Sequence, residues 1–160
     1  MESKWSPQEI LEIAEKVERY GQSLYESLEV KAEDEKLKAI WKFLKEQEVG
    51  HRRIFSDMLA ESDDFKVNEF GTGEYDAYIE AIASEYVFTP QLIDERIDSK
   101  FSSDLDAVDF ALGMEKESVL VYSALKDYVK EDKMHVLERI IEEEKKHIVE
   151  LVRLKQILRQ

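Results

Sequence analysis

Two Glu-x-x-His pairs stand in the apolar faces of predicted helices. The first pair is Glu48 with His51, and the second is Glu144 with His147, 96 residues further along the chain. Residues three positions apart share one face of a helix, so each carboxylate and imidazole can address the same cavity. The neighbouring positions at steps of three and four are apolar, which predicts that both pairs are buried. Helices paired in this way are typical of a dinuclear metal site inside a four-helix bundle.

Two further glutamates, Glu18 and Glu115, stand in similar apolar stripes. The two stripes match when the chain is displaced by 97 residues: Leu11, Ala14, Glu18, Gly21, Tyr25, Leu28 and Val108, Ala111, Glu115, Ser118, Tyr122, Leu125. The small residues Ala14 and Gly21 leave room beside Glu18 for something other than hydrocarbon. The sequence is therefore predicted to form two repeated helical hairpins, each with a lone glutamate on its first helix and Glu-x-x-His on its second.

Four buried carboxylates require a positive counterpart, because even one unpaired ion in a protein interior costs several kcal/mol. Two divalent cations would balance four carboxylates and two neutral histidines, and carboxylates can bridge metals separated by about 3.5–4 Å. Oxygen and nitrogen ligands without sulfur suit iron or manganese better than structural zinc. We therefore predict two metal ions, iron or manganese, with zinc possible in their place. The alternatives are a buried salt-bridge network or a degenerate site that no longer binds metal.

Tyr25 and Tyr122 are equivalent positions of the repeat, two helical turns beyond Glu18 and Glu115. They are the candidate catalytic residues, because a hydroxyl at this position could hydrogen-bond to a metal ligand or to an oxidant. Plain core packing is the alternative for a tyrosine at such spacing. The third histidine, His135, has neither a glutamate partner nor a repeat mate, which favours a surface position. Outward acidic runs such as Glu142-Glu143 are predicted to be solvated.

Composition excludes several classes of function. The formal net charge of −14 argues against a nucleic-acid partner, since phosphate-binding surfaces need clustered Lys and Arg. The absence of cysteine excludes disulfides, thiolate nucleophiles and thiolate-bound metal. The sequence contains neither a signal-peptide pattern nor about 18 consecutive apolar residues, so no membrane association is expected and the expected location is cytoplasmic.

The 160 residues fit one domain, residues 1–160, of the all-α class. An antiparallel four-helix bundle is predicted, with helices over about 7–30, 34–60, 103–129 and 132–159. Ser6, Pro7 and Glu9 provide the N-cap, first-position and capping-box residues of the first helix. The hairpins cover residues 7–60 and 103–159. A long crossover over 61–102 joins them, with short helices predicted at about 74–87 and 90–100.

With these motifs the sequence resembles the ferritin-like superfamily, and within it the rubrerythrin-like di-iron carboxylate proteins. The resemblance covers both hairpins in the order Glu, Glu-x-x-His, Glu, Glu-x-x-His, and extends to the local segments 17–25 and 114–118. It implies a ferritin-like bundle whose ligands have three roles. Glu18 and Glu115 would be terminal ligands, Glu48 and Glu144 would bridge, and His51 and His147 would each hold one iron.

Two departures from rubrerythrins affect the expected activity. Rubrerythrins usually carry a rubredoxin-like domain with four cysteines, and this chain has no cysteine. Electrons would therefore come from a separate donor protein such as a rubredoxin. Rubrerythrins also have a further glutamate one turn beyond the third-helix ligand, where this chain has Ser118. That change affects the redox-linked ligand exchange associated with their peroxidase activity.

The resemblance implies an oxidoreductase that reduces hydrogen peroxide or dioxygen, and we expect a homodimer. Tyr25 and Tyr122, or a carboxylate, would supply protons. One alternative is a ferroxidase and iron-storage protein of the ferritin or bacterioferritin type, which would assemble into a closed cage. Another is a bundle whose metal only stabilises the fold.

Overall fold

The computed structural model describes residues 7–60, 81, 90–99, 101–127, 129 and 131–160. Within these residues the helices are α1 (Pro7–Lys31), α2 (Glu35–Ala60), α3 (Pro90–Ser99), α4 (Asp104–Leu125) and α5 (Glu131–Leu158). The four long helices and the short helix at about 90–100 are therefore confirmed. Helix α4 ends before the predicted residue 129, because Lys126 and Asp127 form a turn. Ser6 and most of the predicted helix at 74–87 lie outside the described residues.

Side-chain caps mark two of the helix starts. Asp34 Oδ1 accepts a hydrogen bond of 2.9 Å from the backbone N–H of Leu37 at the start of α2. Ser103 Oγ accepts one of 3.1 Å from the N–H of Asp106 at the start of α4. Both bonds satisfy backbone donors that the first helical turn leaves without a partner. They fix where α2 and α4 begin, and so the position along each helix axis of Glu48 and Glu115.

Two apolar clusters fill the bundle, one at each end. The first cluster contains Leu11, Ala14, Val17, Phe55, Met58, Val121, Tyr122, Ala124, Leu125, Val129, Leu137, Ile140 and Ile141. The second cluster contains Leu24, Tyr25, Leu28, Leu37, Trp41, Leu44, Ile93, Ala107, Val108, Ala111, Leu112, Met114, Leu151 and Leu154. The six predicted ligands are buried but belong to neither cluster. They lie near the middle of the four long helices, between the two clusters.

Membership of the clusters also fixes the direction of each helix. Helices α1 and α5 place their first halves in the first cluster, whereas α2 and α4 place their last turns there. Thus α1 and α5 run one way, and α2 and α4 run the other. Since α2 and α4 are parallel, the chain between them must return along the bundle, which is the crossover topology.

The most extensive helix contacts are between α1 and α2 and between α4 and α5, and α1 also contacts α4 and α3. The predicted all-α four-helix bundle is therefore confirmed. The assignment of residues 1–160 to one domain stays a prediction. No described helix is both long enough and apolar enough to cross a membrane.

Candidate metal centre

The six predicted ligands converge between the two apolar clusters. Each long helix delivers its share: α1 and α4 give one glutamate each, and α2 and α5 give a glutamate and a histidine each. None of these residues is more than 2% exposed: Glu18, Glu48, His51, Glu115, Glu144 and His147. The predicted burial and convergence of all six are observed.

The six residues form two overlapping groups. One consists of Glu18, Glu48, His51 and Glu144, and the other of Glu48, Glu115, Glu144 and His147. Within each group, one ligand atom from every residue lies within 4.8 Å of the others. Donor atoms bound at about 2.0–2.2 Å to one cation are separated by at most about 4.4 Å, so each group is close to the size of a coordination shell. Glu48 and Glu144 belong to both groups, as carboxylates that bridge two cations must.

Seven buried donor atoms of this cluster have no hydrogen-bond partner among the described residues. They are Glu18 Oε2, Glu48 Oε1, Glu115 Oε2, both carboxylate oxygens of Glu144, and Nδ1 of His51 and of His147. His51 Nδ1 lies 2.8 Å from Glu144 Oε1, and His147 Nδ1 lies 3.4 Å from Glu115 Oε2, but neither contact has hydrogen-bond geometry. Buried polar atoms normally have hydrogen-bond partners. Seven buried oxygen and nitrogen atoms without such partners, all in one cluster, therefore fit a site that binds cations.

Two buried tyrosines contact the glutamates of α1 and α4. The Tyr25 hydroxyl donates a hydrogen bond to Glu115 Oε1, and the Tyr122 hydroxyl donates one to Glu18 Oε1. Each bond crosses from one hairpin to the other. In both glutamates the second oxygen, Oε2, is the one left without a partner. Each tyrosine thus hydrogen-bonds to a predicted ligand, and each leaves the other carboxylate oxygen of that ligand free for the centre. The catalytic role of the tyrosines stays a prediction.

Packing around the tyrosines differs between the halves. Tyr25 stacks on Trp41, with ring centroids 5.8 Å apart and an angle of 17° between the planes. Tyr122 packs at a tilt against Phe55, with centroids 4.9 Å apart. All four rings are buried. One pair belongs to each of the two apolar clusters on either side of the centre.

The outer nitrogen of His51 has a partner that the sequence did not reveal. Glu143 Oε2 lies 2.7 Å from His51 Nε2, and Arg139 Nε donates to Glu143 Oε1 at 3.1 Å. The prediction of a solvated face was therefore wrong for Glu143, although it holds for the neighbouring Glu142, which is exposed. Glu143 directly precedes Glu144, and this adjacency was the only signal of its position. Burial opposes the ionisation of Glu143, but the bonds from His51 and Arg139 outweigh it and lower its pKa.

Gly21 provides the space that the sequence predicted. A Cβ at this position would lie within 3.0 Å of Glu48 Oε2, closer than real Cβ atoms approach other atoms. The Glu48 carboxylate occupies this space, across the α1–α2 interface. The repeat mate Ser118 is buried, and its hydroxyl donates to the carbonyl of Met114 at 3.1 Å.

The pKa shifts of the clustered residues show that the cluster needs positive charge or protons. Burial, followed by repulsion from neighbouring carboxylates, raises the pKa of Glu48 and of Glu144. Burial would lower the pKa of His51, but Glu144 and Glu18 outweigh it and raise that pKa to about 11. Burial and the nearby glutamates also raise the pKa of Tyr25 and of Tyr122, so both hydroxyls remain protonated. In the absence of metal, protons must neutralise the charge that cations would otherwise balance.

His135 is exposed, as predicted, and is not part of this cluster. A cleft of about 610 Å³ between α2 and α5 reaches the centre at His147. Phe43, Gln47, Glu143 and Lys146 are among the residues that border this cleft.

Comparisons with known proteins agree with this arrangement. The family model described as Rubrerythrin matches residues 9–155. A crystal structure from Thermotoga maritima, described as that of a ferritin-like diiron-carboxylate protein, has the same fold, with a TM-score of 0.69 and 22% sequence identity over 95% of each chain. The search of curated proteins gives no match.

Proposed function

The chain belongs to the rubrerythrin family, and from this premise we propose that it is a non-haem di-iron carboxylate redox protein. It would reduce hydrogen peroxide or dioxygen with electrons from a separate donor protein. The observation that carries this function is the pair of overlapping ligand groups, with seven buried donor atoms that lack partners among the described residues. A cluster of purely structural ion pairs would leave far fewer buried oxygen and nitrogen atoms without hydrogen-bond partners.

The charge of the cluster favours two divalent cations. Four carboxylates and two histidines, all buried, lie between the two apolar clusters. Two divalent ions neutralise the carboxylates without requiring a histidine to be cationic. When bound, an iron pair supplies two electrons at one place, as many as the reduction of peroxide to two molecules of water requires.

That reduction also consumes two protons, and the chain holds two hydroxyls next to the ligands. Tyr25 and Tyr122 each keep a proton at the phenolic oxygen, hydrogen-bonded to Glu115 and to Glu18. Their raised pKa values keep them neutral at physiological pH. We propose that they orient the terminal glutamates and supply protons through them.

The α2–α5 cleft supports a small reactant. The cleft has a volume of about 610 Å³, and Phe43, Gln47 and His147 are among the residues that line it. Because His147 itself is only 2% exposed, a reactant that approaches it from this cleft must be small. Peroxide and dioxygen meet that requirement.

Anaerobic iron titration followed by reoxidation tests this function. We expect two Fe(II) per chain, and full oxidation of both by one equivalent of hydrogen peroxide in a stopped-flow experiment. Reduced rubredoxin should then restore the reduced state and sustain turnover. Sedimentation should give a dimer. Iron binding without reoxidation would show a structural metal, and accumulation of many irons in a large cage would show storage instead.

A further inference from the structure

The two ligand groups are nearly equivalent around the centre. Each contains the shared Glu48 and Glu144 and one histidine that presents Nδ1 to the other donors. Each also contains one terminal glutamate that accepts a tyrosine hydroxyl at Oε1. On these contacts alone, two cations would be bound with similar affinity.

The groups differ at the outer nitrogen of the histidine. His51 Nε2 contacts the Glu143 carboxylate at 2.7 Å. The position equivalent to Glu143 in the other half, 96 residues earlier, is Gln47. Gln47 borders the same cleft as His147, but among the described residues it makes no hydrogen bond to that imidazole. His51 therefore has an anionic partner at its outer nitrogen, whereas the equivalent position in the other half is a neutral glutamine.

Glu143 is held in place for this contact. Its side chain is 23% exposed, and its second oxygen accepts a hydrogen bond from Arg139. A carboxylate that accepts Nε2–H fixes the imidazole tautomer whose Nδ1 lone pair points at the centre. It also makes that nitrogen a stronger metal ligand, and loss of such a partner typically lowers metal affinity about 10–100-fold.

We propose that Glu143 is a positioning residue that makes the cation position beside His51 the tighter of the two, so that the centre fills in sequence. The first divalent cation binds to Glu18, Glu48, His51 and Glu144. The second completes the group that contains His147. This inference rests on the proposed metal centre and specifies how that centre is loaded.

Anaerobic titration with Co(II), followed by calorimetry and absorption, measures the two affinities without any turnover. We expect two binding steps in the wild-type protein, separated by about 10–100-fold in dissociation constant. The substitution Glu143→Gln keeps an acceptor oxygen but removes the charge, and it should bring the two steps together. Glu142→Gln removes one charge from the same turn, where the side chain pairs only with Lys145 among the described residues, and should leave both steps unchanged.

The repeat offers a stronger test, because the partners can be exchanged. Gln47→Glu should tighten the weaker step, and the double variant Glu143→Gln with Gln47→Glu should reverse the order of filling. Anomalous diffraction at the cobalt edge, from crystals given one equivalent of Co(II), identifies the occupied position. In the wild-type protein the peak should lie beside His51, and in the double variant beside His147. The wild-type measurement stands even if a variant folds poorly.

The outcomes separate the two levels of the proposal. Absence of Co(II) binding would overturn the metal centre and the order of filling together. Two bound Co(II) with equal affinities, a first peak beside His147, or a Glu143→Gln titration identical to wild type would overturn the role of Glu143 alone.

Discussion

Replacing Gly21 with alanine should weaken metal binding in addition to any effect on the metal-free fold. The new Cβ would overlap Glu48 Oε2 and lie 3.1 Å from Glu48 Cδ, so the carboxylate has to rotate. In the metal-free protein the carboxylate end can move, at a cost of about 1–3 kcal/mol for crowding a packed interior. Alanine in a helix offsets about 0.5–1 kcal/mol of that cost.

With cations bound, the same rotation displaces the carboxylate that both ligand groups share. Disturbing the orientation of a ligand typically lowers metal affinity about 10–100-fold, which corresponds to about 1.4–2.7 kcal/mol. This loss should appear in the metal-loaded protein only, because the stabilisation by a bound ligand depends on its dissociation constant. The metal-dependent rise in Tm should therefore shrink in Gly21→Ala.

Gly50→Ala is the matched control, since it lies on α2 and a Cβ there would meet no atom within 4 Å. It should stabilise the loaded and metal-free protein alike, by about 0.5–1 kcal/mol. The assay is thermal unfolding with chelator and with Co(II), combined with titration calorimetry. If Gly21→Ala bound two Co(II) with wild-type affinities, the space beside Glu48 would have no role in positioning that ligand.

The sharing of ligands predicts that Glu48→Gln abolishes binding of both metals, whereas Glu18→Gln leaves about one of the two, as elemental analysis after gel filtration will show. The double substitution Tyr25→Phe with Tyr122→Phe should keep both metals but slow peroxide reduction about 100-fold, the lower end of general acid catalysis, in single-turnover kinetics; an unchanged rate would exclude these hydroxyls as proton donors. The pKa of His51 is raised to about 11 in the folded metal-free protein, from about 6.5 when unfolded, so its stabilising charge is fully present below pH 6.5 and is lost as pH rises toward 11. The Tm of metal-free protein should fall between pH 7 and 10, and this slope should flatten when metal holds His51 neutral; a metal-free Tm that rose with pH would contradict the assignment.

Helical periodicity predicted the ligands because a charged residue in an apolar stripe can only point inward. Glu18 and His147 are far apart in the sequence, yet both were identified from their immediate neighbours at steps of three and four. Contacts between helices were harder to predict. The sequence placed Tyr25 two turns beyond Glu18, but its hydroxyl bonds to Glu115 on the other hairpin. Such a partner depends on helix rotation and direction, which periodicity within one helix does not specify.

The role of Glu143 was missed for a related reason. Exposed glutamates at the surface and glutamates that reach a buried imidazole look alike in sequence, since both flank the apolar stripe. Only the approach of α5 to α2 distinguishes Glu143 from Glu142. The sequence predicted even less about the segment between the hairpins, because a crossover of this length can connect the two helices in many ways.

The position of the centre between two apolar clusters follows from the energetics of the bundle. Each buried charge costs several kcal/mol unless it is compensated, while each fully buried Leu, Ile or Phe contributes about 1.5–3 kcal/mol. Apolar residues from all four long helices on both sides of the carboxylates keep the helices associated when metal is absent. Protonation of His51, Glu48 and Glu144 then limits the repulsion, as the direction of their pKa shifts requires. Metal binding must displace these protons. The protonation that lets the metal-free bundle fold therefore also makes its metal affinity increase with pH.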